Sequence, residues 1–175
     1  ESSDKTFIVF NEKTRTADMY ADQDFAVGEQ VFETYGNKSN HEYLLYNGFV
    51  MEDNPNQCVY ISLPSPKNPG TNPAIRTCLD PADRDTPQPL LQWGRQMQTL
   101  TTEDGLQQVL RFLDNRLASY GTSEQDDRRF LAELRQRNSS HEENLRLAVM
   151  QRIHEKSSLS TSRHKLSSGA WKCCT

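Results

Sequence analysis

The chain has 175 residues, 34% hydrophobic and 25% charged, with a formal net charge of −4 and a mean hydropathy of −0.83. That length suits one ordinary domain or two small ones, and the polarity requires most apolar residues to be well placed if a core is to form. The acidic balance, with no basic block interleaved with aromatics, excludes nucleic acid as a primary partner, and no apolar run approaches the ~20 residues that cross a bilayer.

The first third reads as β. Thr6 to Phe10 is rich in β-branched and aromatic residues, Asn11 to Thr14 is a polar turn, and Ala17 to Tyr20 resumes an extended pattern, which predicts a hairpin. Phe25 to Gly28 turns the chain into a third expected strand, Gln30 to Thr34. A short helix is expected over His41 to Tyr46, with Asn40 as its N-cap and Asn47-Gly48 as its left-handed exit. Cys58 to Ile61 reads as a fourth strand. From Pro64 to Pro89, which holds seven of the eight prolines, an irregular crossing or linker is expected.

After Leu90 the pattern becomes helical. Leu106, Val109, Leu110, Leu113 and Leu117 recur on one helical face behind a cap at Thr101 or Thr102, and Gly121 ends that helix. Ser123 caps the next helix with Asp126 at capping-box distance, and Phe130, Leu131 and Leu134 line its inner face. A third helix starts near Ser139 or Ser140, with Leu145, Ala148, Val149 and Ile153 on one face. The helical charges read as solvated faces. The Ser/Thr-rich stretch from Ser157 reads as frayed or disordered. Cys58, Cys78, Cys173 and Cys174 form no CxxC pair and have no histidine at zinc spacing, so reduced thiols and no metal site are expected.

The run "FAVGEQVFETYGNKSNHEYLLYNGFV" resembles the carboxy-terminal half of a SET domain, of the type found in RuBisCO large-subunit methyltransferase and its animal relatives. The motif residues are Gly28-Glu29-Gln30, Tyr35-Gly36, Ser39-Asn40 and Gly48-Phe49. The stretches Leu110 to Leu134 and Asn144 to Leu159, with Arg152, Glu155 and Lys156 at Arg-x-x-Glu-Lys spacing, are similar to the helical substrate-binding domain of that family.

The resemblance implies an α+β fold, a partial SET domain of short twisted strands and one short helix followed by an all-helical domain. It places the SET part at residues 1–63, a proline-rich linker at 64–89, the helical substrate-binding domain at 90–159 and a disordered tail at 160–175. It implies methyl transfer from S-adenosylmethionine to a side-chain nitrogen of a protein substrate, usually lysine. Tyr35 would be the catalytic phenol, since a tyrosine hydroxyl keeps its proton at neutral pH and can orient an acceptor nitrogen. Asn47 stands where many relatives carry tyrosine. A minority carry a small polar residue there, among them a branch whose acceptor is histidine. Asn47 is therefore read as a contact to cofactor or acceptor, or as the helix exit alone. Phe49 and Asn40 are the other cofactor-binding candidates, and Phe7 and Phe10 are candidates to line the acceptor channel, with sheet core as their alternative.

The family holds its cofactor with an early glycine-rich segment and an Asn-His pair placed just before the strand at Thr6. Neither is among these residues, so the chain is expected to be the carboxy-terminal part of a larger enzyme and to bind S-adenosylmethionine poorly by itself. The expected state is a monomer, cytoplasmic or nuclear, or chloroplast if the source is a plant or alga. The alternative reading is a non-catalytic protein-binding module built on the helical domain.

Overall fold

The computed structural model describes residues 8–21, 23–31, 35–65, 75–80, 87–99, 104–137 and 139–169. It is an α+β protein that divides into two compact units, residues 1–38 and 39–175.

The first unit holds the expected hairpin. Strands β1 (Ile8–Asn11) and β2 (Thr16–Met19) pair antiparallel, with Phe10 opposite Ala17. The turn forms because Asn11 Oδ1 accepts from the backbone of Lys13 and Thr14, while Arg15 takes a left-handed φ of 55°. Asp18 accepts from Thr16 and Asn11, and these bonds hold its carboxyl below the usual range. The expected third strand does not form at Gln30 and Val31. Its remainder, and Phe7, lie outside the described residues.

The second unit opens with a one-turn helix α1 (Asn40–Glu42) that widens into a π-helical turn, Tyr43–Asn47, and ends at Gly48 with φ 77°. The cap is Ser39, not Asn40. Ser39 Oγ and Glu42 form a reciprocal capping box, with Ser39 N donating to Glu42 Oε2 at 2.9 Å. Strand β3 (Val59–Leu63) follows and alternates buried and exposed residues.

Its partner is β4 (Ile75–Leu79), antiparallel, with Tyr60 opposite Cys78. This strand lies in the stretch expected to be irregular. The Ile-Arg-Thr-Cys-Leu run has β-forming character that the surrounding prolines hide. Cys58 and Cys78 are joined by a disulfide with Cα atoms 5.4 Å apart, so the expectation of reduced thiols is corrected at these two positions. Cys173 and Cys174 lie outside the described residues.

Helix α2 (Pro87–Gln98) begins earlier than Leu90. Its two prolines fall in the first turn, where the missing N–H groups would have no intrahelical partner anyway. Helix α3 (Gly105–Ala118) is capped by Asp104, whose side chain accepts from Leu106 and Gln107, while Thr101 and Thr102 lie outside the described residues. Helix α4 (Glu124–Arg137) starts behind Ser123, whose hydroxyl and Asp126 exchange the expected capping bonds. Those bonds, then Arg129, hold the Asp126 carboxyl down to about 2.

A 3-10 turn (Ser140–Glu142) leads into α5 (Glu143–Ser168). This helix continues well past Ser157, and Leu159 and Leu166 are fully buried within it, so the expected disordered tail is helical as far as Ser168. Small serines at 158 and 162, both buried, let the helix approach its neighbours closely. Val149 and Ile153 are buried as expected, whereas Leu145 and Ala148 face solvent.

One apolar core joins Ile61, Leu63 and Leu79 of the sheet to Trp93, Leu113 and Leu159 of the helices, and a smaller one joins Leu131 and Leu134 of α4 to Val149 and Ile153 of α5. Trp93 Nε1 donates to Pro64 O at 2.9 Å, tying α2 to the end of β3. Among the described residues no helix is long and apolar enough to cross a membrane.

Candidate functional site

Tyr35 sits in the first unit immediately before Gly36, whose φ of +75° makes the bend that a side chain would strain. Its ring is about half exposed, at 47%, and Lys38 Nζ lies 5.9 Å from the ring centroid. The phenol is therefore presented at a tight turn rather than packed into a core. Phe10, the other first-unit candidate, is 64% exposed on β1 and so is not sheet core within this unit.

The second unit holds the remaining candidates. Asn40 is fully buried, and its amide clamps the following loop. Nδ2 donates to Met51 O at 2.8 Å, and Oδ1 accepts from Met51 N at 3.1 Å and from Asn54 Nδ2 at 3.1 Å. The side chain expected to cap the helix instead fixes the chain after Phe49. Phe49 stacks on the buried Tyr43, with ring centroids 4.8 Å apart, so it belongs to the packing beneath the π-helical turn.

Asn47 differs from both. Its Oδ1 is buried and has no hydrogen-bond partner among the described residues. A buried acceptor without a donor costs roughly 1–3 kcal/mol, so its retention at a helix exit needs an explanation that packing does not supply. Tyr46, one position earlier, is 72% exposed and does not share that environment. Both lie in the π-helical turn, a wide geometry that interrupts the α-helical hydrogen-bond pattern and recurs at functional sites.

S-adenosylmethionine offers an ammonium, hydroxyls and an amine as donors. Of the three cofactor-binding candidates only Asn47 presents a free acceptor suited to such a group. Among the described residues no group of three or more His, Cys, Asp or Glu side chains could hold a metal.

Two features escaped the sequence reading. The first is a charged network between α4 and α5 around Asp127, which a reading of charges as solvated faces could not find. The second is a cluster of exposed rings, His41 and Tyr46 of the helical turn with Tyr60 of β3, brought together by the packing of that turn beside the strand.

No family model matches the chain. A stretch of 41 residues is 46% identical to the actin-histidine N-methyltransferase of Xenopus tropicalis and 44% identical to that of Danio rerio. The stretch is 23% of this chain and 7% of either relative, so the chain matches well under a tenth of those proteins' length. Over that stretch the chain is similar to protein methyltransferases.

Proposed function

We propose that the chain belongs to a SET-type protein methyltransferase that modifies a side-chain nitrogen, with histidine the favoured acceptor over lysine. The observation that carries this reading is the similarity to two histidine methyltransferases. Asn47 points the same way, since it stands where the lysine-modifying pattern has tyrosine.

S-adenosylmethionine would supply an electrophilic methyl group on a sulfonium. Tyr35 would orient the acceptor ring through its phenol oxygen, which would accept from the N–H of the ring nitrogen that is not methylated and leave the attacking lone pair free, a task of positioning rather than proton removal. An imidazole is largely neutral at pH 7, so a histidine acceptor needs no costly deprotonation, whereas a lysine must first shed its proton. Asn47 Oδ1 would accept a hydrogen bond from the donor molecule or the acceptor ring.

The test is methylation of a cell lysate by the full-length protein with isotopically labelled donor, followed by hydrolysis and amino-acid analysis. Methylhistidine is expected. Tyr35→Phe should lower transfer about 100-fold with folding unchanged. Label in methyllysine would overturn the acceptor assignment. No transfer at all would leave the protein-binding module as the better reading.

A further inference from the structure

We propose a protein-docking site on the second unit, lined by none of the residues assigned to methyl transfer, that takes an acidic peptide carrying one bulky apolar side chain. It is the cavity of about 300 Å³ between the π-helical turn and the outward face of the β3–β4 sheet.

Leu45, Ile61 and the rings of Tyr46 and Tyr60 supply the apolar part of the lining, beside the polar side chains of Glu42, Ser62 and Arg76. Leu45 is 63% exposed, Tyr46 72% and Tyr60 48%, and all three border this one hollow. His41 stands edge-on to Tyr60 with centroids 5.8 Å apart. Exposed tyrosines gathered in a concavity are the composition of an interface anchor pocket, because each ring offers large contact area at low entropic cost.

Charge selects the occupant. Arg76 of β4 borders the cavity, is exposed, and makes no ion pair or side-chain hydrogen bond with any described residue. Glu42 is the carboxylate in the wall, and it is already engaged, by Ser39 N and Oγ and by the Tyr60 hydroxyl. Burial, followed by that carboxylate, pushes the Tyr60 hydroxyl up, which keeps it a donor to Glu42. Among the described residues an incoming cation would find no carboxylate in the lining that is not already engaged, while an incoming carboxylate would find the Arg76 guanidinium, suited to bidentate pairing.

The site is also pre-organised. The Cys58–Cys78 disulfide and the sheet register fix Tyr60 against Arg76's strand, and the Ser39–Glu42 capping box fixes the helical wall. Less ordering on binding leaves more of the contact energy as affinity.

The test uses fluorescence anisotropy with the full chain and a labelled peptide, Gly-Ser-Glu-Asp-Trp-Asp-Glu-Ser-Gly. Saturable binding is expected, weakened about tenfold or more by either Arg76→Glu or Tyr46→Ala. The same peptide with lysines in place of its acids, or with serine in place of tryptophan, should not bind. No saturable binding to the acidic peptide, equal binding of the lysine peptide, or an unchanged affinity in Arg76→Glu would overturn the proposal. So would concentration-dependent dimerisation that Tyr46→Ala abolishes and the acidic peptide does not compete with, since a second copy would then be the occupant.

Discussion

Lys156 Nζ lies 2.6 Å from Asp127 Oδ2, and both side chains are almost fully buried between α4 and α5. The ammonium has three donors, and all are used: the others go to Thr122 O at 2.6 Å and Thr122 Oγ1 at 2.9 Å. The other carboxylate oxygen of Asp127 accepts from Arg152 Nη2 at 2.6 Å. Tyr120, whose ring centroid lies 5.2 Å from Lys156 Nζ, donates its hydroxyl to Glu155 at 2.7 Å. The Arg152, Glu155 and Lys156 spacing thus serves to fasten α5 to α4 and to the turn between α3 and α4. Removing one partner strands the other charge in a dry site. Asp127→Ala and Lys156→Ala should each lose about 3–5 kcal/mol in urea unfolding. Replacing both by leucine and methionine should cost less than either single change, because the only charge then left without its partner is Arg152, which is partly exposed to water.

The same region should make the protein acid-sensitive. Burial works to raise the Asp127 carboxyl, but the bonds from Arg152, Lys156 and Thr122 outweigh it and hold the group below its ordinary 3.8. Burial, then Arg128, lowers His154 from its ordinary 6.5, with Asp53, Glu52 and a bond to the Met51 backbone only partly offsetting them. Both groups bind protons more readily when unfolded, so stability rises with pH across their windows. The His154 contribution is complete above about pH 6.5 and is lost as pH falls through its depressed value. The Asp127 contribution is complete above about pH 4 and is lost in stronger acid. Urea midpoints should therefore fall between pH 7 and pH 5, and His154→Gln should flatten that segment of the curve. A flat profile in the parent protein would contradict the assignment.

Helices α2 and α3 cross where Gly94 faces Gly105. A Cβ on Gly94 would come within 2.4 Å of Gly105 O and 2.8 Å of Val109 Cγ2. The first obstacle is backbone, so relief requires the helices to separate. Gly94→Ala should destabilise by about 1–3 kcal/mol, against the gain of up to about 1 kcal/mol that the same change gives in an open helix. Thermal denaturation of Gly94→Ala beside an exposed control, Gln92→Ala, separates the two effects.

Local signals were legible and long-range ones were not. The turn at Asn11, the Ser123–Asp126 cap and the apolar stripe of α3 could be read because their partners lie within a few residues. Strand β4 was missed because its five residues are flanked by proline-bearing segments whose composition argued against a strand. The end of α5 was missed because Leu159 and Leu166 are separated by six polar residues, Ser160 to Lys165, and burial of Ser158 and Ser162 depends on what packs against them. At the candidate site, Gly36 marked the bend at Tyr35, but the orphaned oxygen of Asn47 shows only in the folded chain, since no local pattern encodes which donors surround it. The correction to α5 can be checked directly. Leu166→Ala should cost about 2–5 kcal/mol, whereas a frayed tail would tolerate it without effect.

The disulfide gives a last check on how the sheet is held. Cys58 and Cys78 are 20 residues apart in sequence, and closing a loop of that length restricts the unfolded chain by about 3 kcal/mol in the chain-entropy picture. The bond also spans the strands that carry Tyr60 and Arg76. The double variant Cys58→Ser/Cys78→Ser should lower the urea midpoint by the same amount as dithiothreitol lowers that of the parent, and dithiothreitol should leave the variant unmoved. Equal midpoints in parent and variant without reductant, together with two extra reactive thiols in the denatured parent, would show that the pair is not joined and that strand pairing alone holds β3 against β4.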